Sequence, residues 1–280
     1  METIVLVHTG NFFPSHINDC IFQLKKYSLN IILIISSNLI SHIEDKTIQI
    51  EASEKYEDNE IQKFSLKNHD NLFLDNFWTR TSSRFLILSN FSKINKLENF
   101  FHIENDVLIF SNLSKVSDSL RKTHFESSLV MDSNNRCVPS IMWFANYLSL
   151  EKIKDQILTN KHFNDMQNLA YFFHKNRKSV CNFPIFPDSL FESGINYSNM
   201  YDIFESIFDG AAIGQYFGGL DQRIHKNNTI NFINETTIFN VSKLNYIWEN
   251  SKPYALYREK KIPISNIHVH SKNLKKFINI

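Results

Sequence analysis

Cysteine is scarce in this sequence and never closely paired. Cys20, Cys137 and Cys181 make no CxxC spacing, so neither a disulfide-built scaffold nor a structural zinc site is expected. An excess of one charge is also missing. The 30 basic and 29 acidic residues are interspersed and leave a formal net charge of +1, whereas a nucleic-acid-binding chain is usually more basic. No apolar run is long enough to span a bilayer. The longest, IILIISSNLI at 31–40, is short and interrupted by polar residues. The opening METIVLVHTG lacks the basic segment of a secretory signal. The expectation is a cytoplasmic protein with reduced thiols, no transmembrane segment and no nucleic-acid partner. A GxSxG elbow, a Walker A loop and a GxGxxG loop are all absent, so Ser/His/Asp acyl chemistry and the common phosphate loops find no support. There is no internal repeat and no low-complexity linker.

What is present is ample apolar material. Hydrophobic residues make up 42% of 280 positions, enough for a substantial core in one large domain or two small ones. TIVLVH (3–8) is a β-branched run that stops at Thr9-Gly10-Asn11, which predicts a buried first strand and a tight turn. Ile17, Ile21 and Leu24 fall at helical spacing within 15–27, with Ser15 as the expected N-cap. NIILIIS (30–36) predicts a second buried strand. This β–turn–α–β opening is how α/β nucleotide-binding folds begin. Residues 51–70 are polar and read as a surface excursion. A helix is expected over 76–96, one or two strands over 99–104 and 106–110, further strands at 127–133 and 137–145, and helices over 149–158 and 163–175. After 180 the chain is expected to be irregular.

One short stretch departs from the apolar pattern. FHIENDVLIF (101–110) carries His102, Glu104 and Asp106 inside a strand-like run. Buried carboxylates cost several kcal/mol unless paired or bound to a cation. Two acids at a strand end after a nucleotide-binding half point to Mn²⁺ or Mg²⁺ bridging a diphosphate, because hard oxygen ligands suit these ions and phosphates complete their coordination. His102 is expected to support the carboxylates by hydrogen bonding rather than to act as a ligand. Near the C-terminal end, His268 and His270 alternate as if on one strand face, followed by Lys272. Either histidine would add a metal ligand.

Glu104-Asn105-Asp106 resembles the DxD motif of GT-A glycosyltransferases in an ExD form. The segment from Ser82 to Phe110 resembles the arrangement in glycosyltransferase family 8-like enzymes, where an Arg-bearing helix precedes the metal strand. SIMWFAN (140–146), NDMQNLA (164–170) and NIHVHSKNLKKF (266–277) keep the order of that family's later segments. The resemblance implies an α/β GT-A fold: a single domain whose mixed central sheet is flanked by helices. Residues 1–110 would form a Rossmann-like nucleotide-binding half. Residues 111–280 would form the acceptor half and the C-terminal metal and phosphate strand. It further implies a hexosyltransferase-like enzyme that moves a sugar from a UDP- or GDP-linked donor to a hydroxyl acceptor such as a glycan. His8, Thr9 and Gly10 would border the nucleoside, Arg84 would contact the nucleotide, and Asn105 and Lys272 would join them in donor binding. Glu104, Asp106 and one of His268 or His270 would hold Mn²⁺ or Mg²⁺.

The glycine-rich stretch FDGAAIGQYFGGLDQR (208–223) holds Gly210, Gly214, Gly218 and Gly219. It reads equally as a tightly packed helix with a glycine cap or as a sugar pocket in which Asp209, Gln215 and Asp221 take part. Asp209, Asp165 and Gln215 are the candidate catalytic residues. An inverting enzyme would use a carboxylate as base, and a retaining one would use it or Gln215 to steady the cation. Two rivals stand beside this reading. A sugar nucleotidyltransferase would be expected to carry a basic glycine-rich loop after its first strand, which HTGNFFPSH is not. A non-catalytic carbohydrate-binding protein needs neither acid–x–acid nor His-x-His.

Overall fold

The buried β-branched runs assemble a seven-stranded sheet. In this computed structural model, residues 2–27, 29–67, 76–160, 162–223, 227 and 229–278 are described. Strand β1 (Thr3–His8) leads through helix α1 (His16–Lys25) to β2 (Asn30–Ile35) and the edge strand β3 (Gln49–Ala52). Ser15 precedes α1 but makes no capping side-chain bond. Helices α2 (Asn59–Lys67) and α3 (Phe77–Ile94) follow, then β4 (Glu98–Ile103) and β5 (Val107–Ile109). The 51–70 excursion is therefore partly regular, ending β3 and carrying α2; residues 68–70 lie outside the described set. Next come α4 (Leu113–Arg121), β6 (Ser127–Leu129), β7 (Met131–Ser133), β8 (Arg136–Cys137) and β9 (Ile141–Asn146). Helices α5 (Leu148–Thr159) and α6 (Asp165–Lys175) lead to β10 (Val180–Asn182).

The sheet order is β10-β6-β9-β4-β1-β2-β3. β9 alone runs antiparallel to its neighbours β4 and β6, and the other pairings are parallel. The result is an α/β protein with a mixed central sheet flanked by helices. Its strands are buried on both faces: Ile4, Val5, Leu6, Leu33 and Phe101 are fully inaccessible, as helices on both sides of a sheet require. Helix α3 is buried around most of its girth, with Ser82, Ser83, Ser89 and Ser92 among the covered residues. These small side chains let it sit close to the sheet and α5 while carrying Arg84 inward.

The last hundred residues are more regular than their sequence indicates. Hairpin β11 (Phe191–Glu192) and β12 (Ile195–Asn196) is followed by α7 (Tyr201–Phe204) and α8 (Ala212–Gly218). Strands β13 (Asn245–Glu249), β14 (Lys252–Tyr257) and β15 (Lys260–Pro263) then form an antiparallel sheet. Pro253 and charged strand ends hide this sheet from a pattern search. Trp248 anchors it by packing edge-on to Phe110 and stacking on Phe277. Finally β16 (Asn266–His268) pairs antiparallel with β5, and α9 (Lys275–Ile278) follows.

β1 is the switch point of the sheet: the chain continues from it to β2 on one side and returns beside it as β4 on the other. In open α/β sheets a crevice opens at the carboxyl ends of such strands, and ligands bind there. The turn after β1 and the acidic triplet after β4 both lie at that position.

Candidate active site

The acidic triplet is not inside a strand. β4 ends at Ile103 and β5 starts at Val107, so Glu104-Asn105-Asp106 is the turn between them. That resolves the cost of charge in an apolar run, because the carboxylates face a cavity instead of a sheet neighbour. The cavity is about 460 Å³, within the roughly 300–1,000 Å³ of small-molecule sites.

Pairing of β16 with β5 sets His268 opposite Val107, one residue from Asp106, and the Val269 amide donates to the Asp106 carbonyl at 2.8 Å. The ligand atoms of Glu104, Asp106 and His268 all lie within 4.8 Å of one another. His268 Nε2 is 3.1 Å from Asp106 Oδ2 and 3.6 Å from Glu104 Oε2. Its Nδ1 is 2.6 Å from the Gly210 carbonyl. A carbonyl can only accept, so Nδ1 carries a proton, and Nε2 is the nitrogen left for a cation. Two carboxylates and an imidazole suit Mn²⁺ or Mg²⁺, with positions left over for phosphate oxygens. The donor set therefore fits a divalent ion.

The charged groups of the cluster also pair with one another. Lys272 donates to Asp106, from a turn in which its φ of 63° is left-handed and uncommon for a non-glycine residue. Arg84 reaches Glu104 Oε1 through Nη1 at 2.5 Å and Asp165 Oδ2 through Nη2 at 3.2 Å. Burial alone would lower the pKa of His268, but Asp106 and Glu104 outweigh it and raise the imidazole to about 9. Burial likewise opposes ionisation of Asp106, yet His268 and Lys272 hold it well below the usual carboxylate range. For Asp165 burial wins over Arg84 and pushes the carboxyl up to about 6. Among the described residues, its Oδ1 has no close hydrogen-bond partner.

Of the residues singled out from sequence, Glu104, Asp106, His268, Lys272, Arg84 and Asp165 form this connected cluster. His8, Thr9, Gly10, Asn105, Gln215 and His270 line the same cavity. Most of these residues are also held by contacts within the protein. Both terminal nitrogens of Arg84 are committed to carboxylates, so it orders the acids. β16 ends at His268, so His270 sits in the following turn instead of on the same strand face; the rings are 5.5 Å apart and, among the described residues, His270 Nδ1 has no hydrogen-bond partner. Thr9 Oγ1 donates to the Arg80 carbonyl at 2.9 Å. Gly10 makes room for the His8 ring, which a Cβ there would meet at 2.8 Å. Gln215 Oε1 accepts from Asn234 Nδ2 at 2.9 Å. His102 does not touch the acids; its Nδ1 is 2.9 Å from the Val5 carbonyl, and burial, with the Arg84 charge, lowers its pKa to about 3.

Asp209 is not among the residues lining the cavity. Its carboxylate accepts from the amides of Ile213, Gly214 and His268 at 2.8–3.0 Å. It therefore caps α8 and ties that helix to β16. Gly214 has a structural reason: a Cβ there would lie 1.8 Å from the His268 carbonyl oxygen. The glycine-rich stretch is a closely packed helix that ends at Gly219, φ 79°. It holds His268 from behind.

Sequence reading missed His16, Arg136 and Arg223, which also line the cavity. Arg136 pairs with Asp132 at 2.6 Å, and Arg223 pairs with Asp221 at 2.6 Å. The position of His16, at the start of the helix after the first strand, was the available signal, since that end of α1 faces the crevice.

No protein-family model and no curated protein sequence matches the chain. Among solved structures it is similar to mouse xyloside xylosyltransferase 1 in its apo form, with 8% identity over 72% of this chain and 92% of that one, at a TM-score of 0.43. It is similar to the glycosyltransferase GlyE of Streptococcus pneumoniae, with 9% identity over 65% of this chain and 45% of that one, at 0.43. It is also similar to a glucose-1-phosphate thymidylyltransferase, described as putative, from Bacillus anthracis, with 9% identity over 65% and 85%, at 0.41. Likenesses this loose carry no argument about activity, so the functional reading rests on the side chains of the cavity.

Proposed function

We propose that this protein is a metal-dependent glycosyltransferase that moves a sugar from a UDP- or GDP-linked donor to a hydroxyl acceptor such as a glycan, in the cytoplasm. The observation that carries this reading is the Glu104, Asp106 and His268 triad at the sheet's switch point, with Lys272 beside it. When bound, Mn²⁺ or Mg²⁺ supplies positive charge to the diphosphate as it leaves. Arg84 holds Glu104 and Asp165 in fixed relation. Lys272, released from Asp106, neutralises phosphate oxygens. Bond breaking between the anomeric carbon and the phosphate oxygen is matched by bond formation to the acceptor oxygen. Asp165, which lines the cavity and has its pKa raised to about 6, takes the acceptor's proton. Gln215 lines the sugar side. The β1–α1 loop, Thr9 to Ser15, contains no Lys or Arg, which favours this reading over a nucleotidyltransferase.

The test is release of nucleoside diphosphate from a panel of nucleotide sugars with Mn²⁺. Turnover of at least one, lost on chelation, is expected. Consumption of nucleoside triphosphate with a sugar phosphate in its place would establish the nucleotidyltransferase instead. On the active donor, Asp165→Asn should slow kcat at least about tenfold, with donor affinity little changed. The wild-type rate should rise with pH through about 6 as Asp165 ionises. Wild-type kcat in the Asn variant would remove Asp165 from the chemistry.

A further inference from the structure

Three side chains from three elements form one hydrogen-bonded line along the cavity wall: His8 at the end of β1, Asn105 between β4 and β5, and His16 at the start of α1. His8 Nε2 is 2.9 Å from the Phe12 carbonyl, His8 Nδ1 is 3.4 Å from Asn105 Nδ2, and Asn105 Oδ1 is 3.3 Å from His16 Nε2. The direction of the line follows from its first member. The Phe12 carbonyl can only accept, so the proton of neutral His8 is on Nε2 and its Nδ1 must accept. The Asn105 amide nitrogen therefore faces His8, and its oxygen faces His16. That oxygen accepts from His16 Nε2–H, which leaves His16 Nδ1 as a bare acceptor. Burial lowers the pKa of both imidazoles, so both are neutral near pH 7. Among the described residues, no donor to His16 Nδ1 is present.

The location of that acceptor narrows what can fill it. Asn105 lies between two of the proposed cation ligands, so the line ends beside the place a diphosphate would occupy. The charges of Asp106, Lys272 and Arg223 all act on His16. His16 also lies on the β1–α1 side of the cavity, away from Asp165 on α6. In a nucleoside diphosphate, the group joined to the diphosphate on the base side is ribose, and its hydroxyls are hydrogen-bond donors. Resting on the nucleotide-sugar reading above, we propose that His16 Nδ1 accepts from a ribose hydroxyl of the donor, so that the site prefers ribonucleoside to deoxyribonucleoside diphosphates. Asn105 is then a positioning residue, which sets the tautomer of His16 while its two acidic neighbours hold the ion.

Calorimetry in the presence of Mn²⁺ with UDP, 2′-deoxy-UDP and 3′-deoxy-UDP tests this, with the guanine series run in parallel and the comparison read on whichever base binds. One deoxy analogue should bind about fivefold to tenfold more weakly than the parent, the span expected for one lost hydrogen bond. His16→Gln keeps an amide able to meet Asn105 and puts nothing in place of Nδ1. It should bind the parent as weakly as that analogue, no longer distinguish the two, and still bind Mn²⁺. Equal binding of all three nucleotides by the wild-type protein would overturn the proposal, and so would discrimination that survives in His16→Gln. Failure of the nucleotide reading would look different: no nucleotide of either series would bind with Mn²⁺, and both proposals would fall together.

Discussion

Asp106→Asn is expected to weaken Mn²⁺-dependent binding of UDP or GDP by at least about 100-fold. Loss of a residue that only orients a metal ligand already costs roughly 10–100-fold, and Asp106 is placed to be a ligand itself. Asparagine keeps the shape and removes the charge that faces both His268 Nε2 and Lys272 Nζ. The change also acts on the ion-free protein, because it leaves two cations without their shared partner. Breaking a buried pair costs about 3–5 kcal/mol. Lys272 is 27% exposed and can turn to water, so the loss should fall at or below the low end of that range. Calorimetry and thermal unfolding on the same variant separate the two effects. Unchanged Mn²⁺ and nucleotide affinity in a folded Asp106→Asn protein would remove the metal site from the account.

The second large effect is pH dependence of ion binding. His268 must lose a proton before Nε2 can coordinate, and its neighbours raise its pKa to about 9. Apparent Mn²⁺ affinity should therefore rise about tenfold per pH unit between roughly pH 6.5 and 8.5, with about one proton released per ion. An unperturbed imidazole would level off near pH 6.5. The stability of the ion-free protein should run the other way. A folded pKa above the unfolded one contributes stability that is full below about pH 6.5 and is lost as pH rises through about 9. Asp106, shifted downward, contributes above its ordinary pKa and loses that contribution only in acid. The ion-free melting temperature should thus fall between pH 6.5 and 9, and Mn²⁺ should offset the fall. A plateau in Mn²⁺ affinity already reached at pH 7, or His268→Ala with wild-type affinity, would contradict the assignment of His268.

Much of this fold can be read in the sequence where a single physical rule dominates. TIVLVH and NIILII are continuous β-branched runs, and only strands covered on both faces bury them well. Glu104 and Asp106 stand out because charge in an apolar run demands a partner, and His268 stands out beside a lysine near the other end of the chain. The harder cases are residues whose type is informative but whose direction is not. Asp209 before a glycine-rich helix has the composition of a sugar pocket, and the same composition serves a helix cap beneath the strand that carries His268; only the path of the backbone at Gly214 decides between them. Arg84 lines the cavity as its place in the sequence indicates, but its pairing with Glu104 and Asp165 depends on how α3, the turn after β4 and α6 meet, which the sequence does not show. His16, Arg136 and Arg223 meet the site through loops and a helix start, where no periodicity marks which way a side chain points. The β13–β15 sheet escaped because Pro253 and lysine-rich ends mask its alternation.

The central claim, that the turn after β4 and the strand β16 together make a divalent-ion site for a nucleoside diphosphate, is tested most directly by titrating the wild-type protein with UDP and GDP, with and without Mn²⁺. The account predicts that one of them binds tightly only when Mn²⁺ is present, and that the nucleotide in turn tightens Mn²⁺ binding by the same factor. Nucleotide binding of equal strength in the presence of a chelator, or no binding of either nucleotide with Mn²⁺, would contradict it.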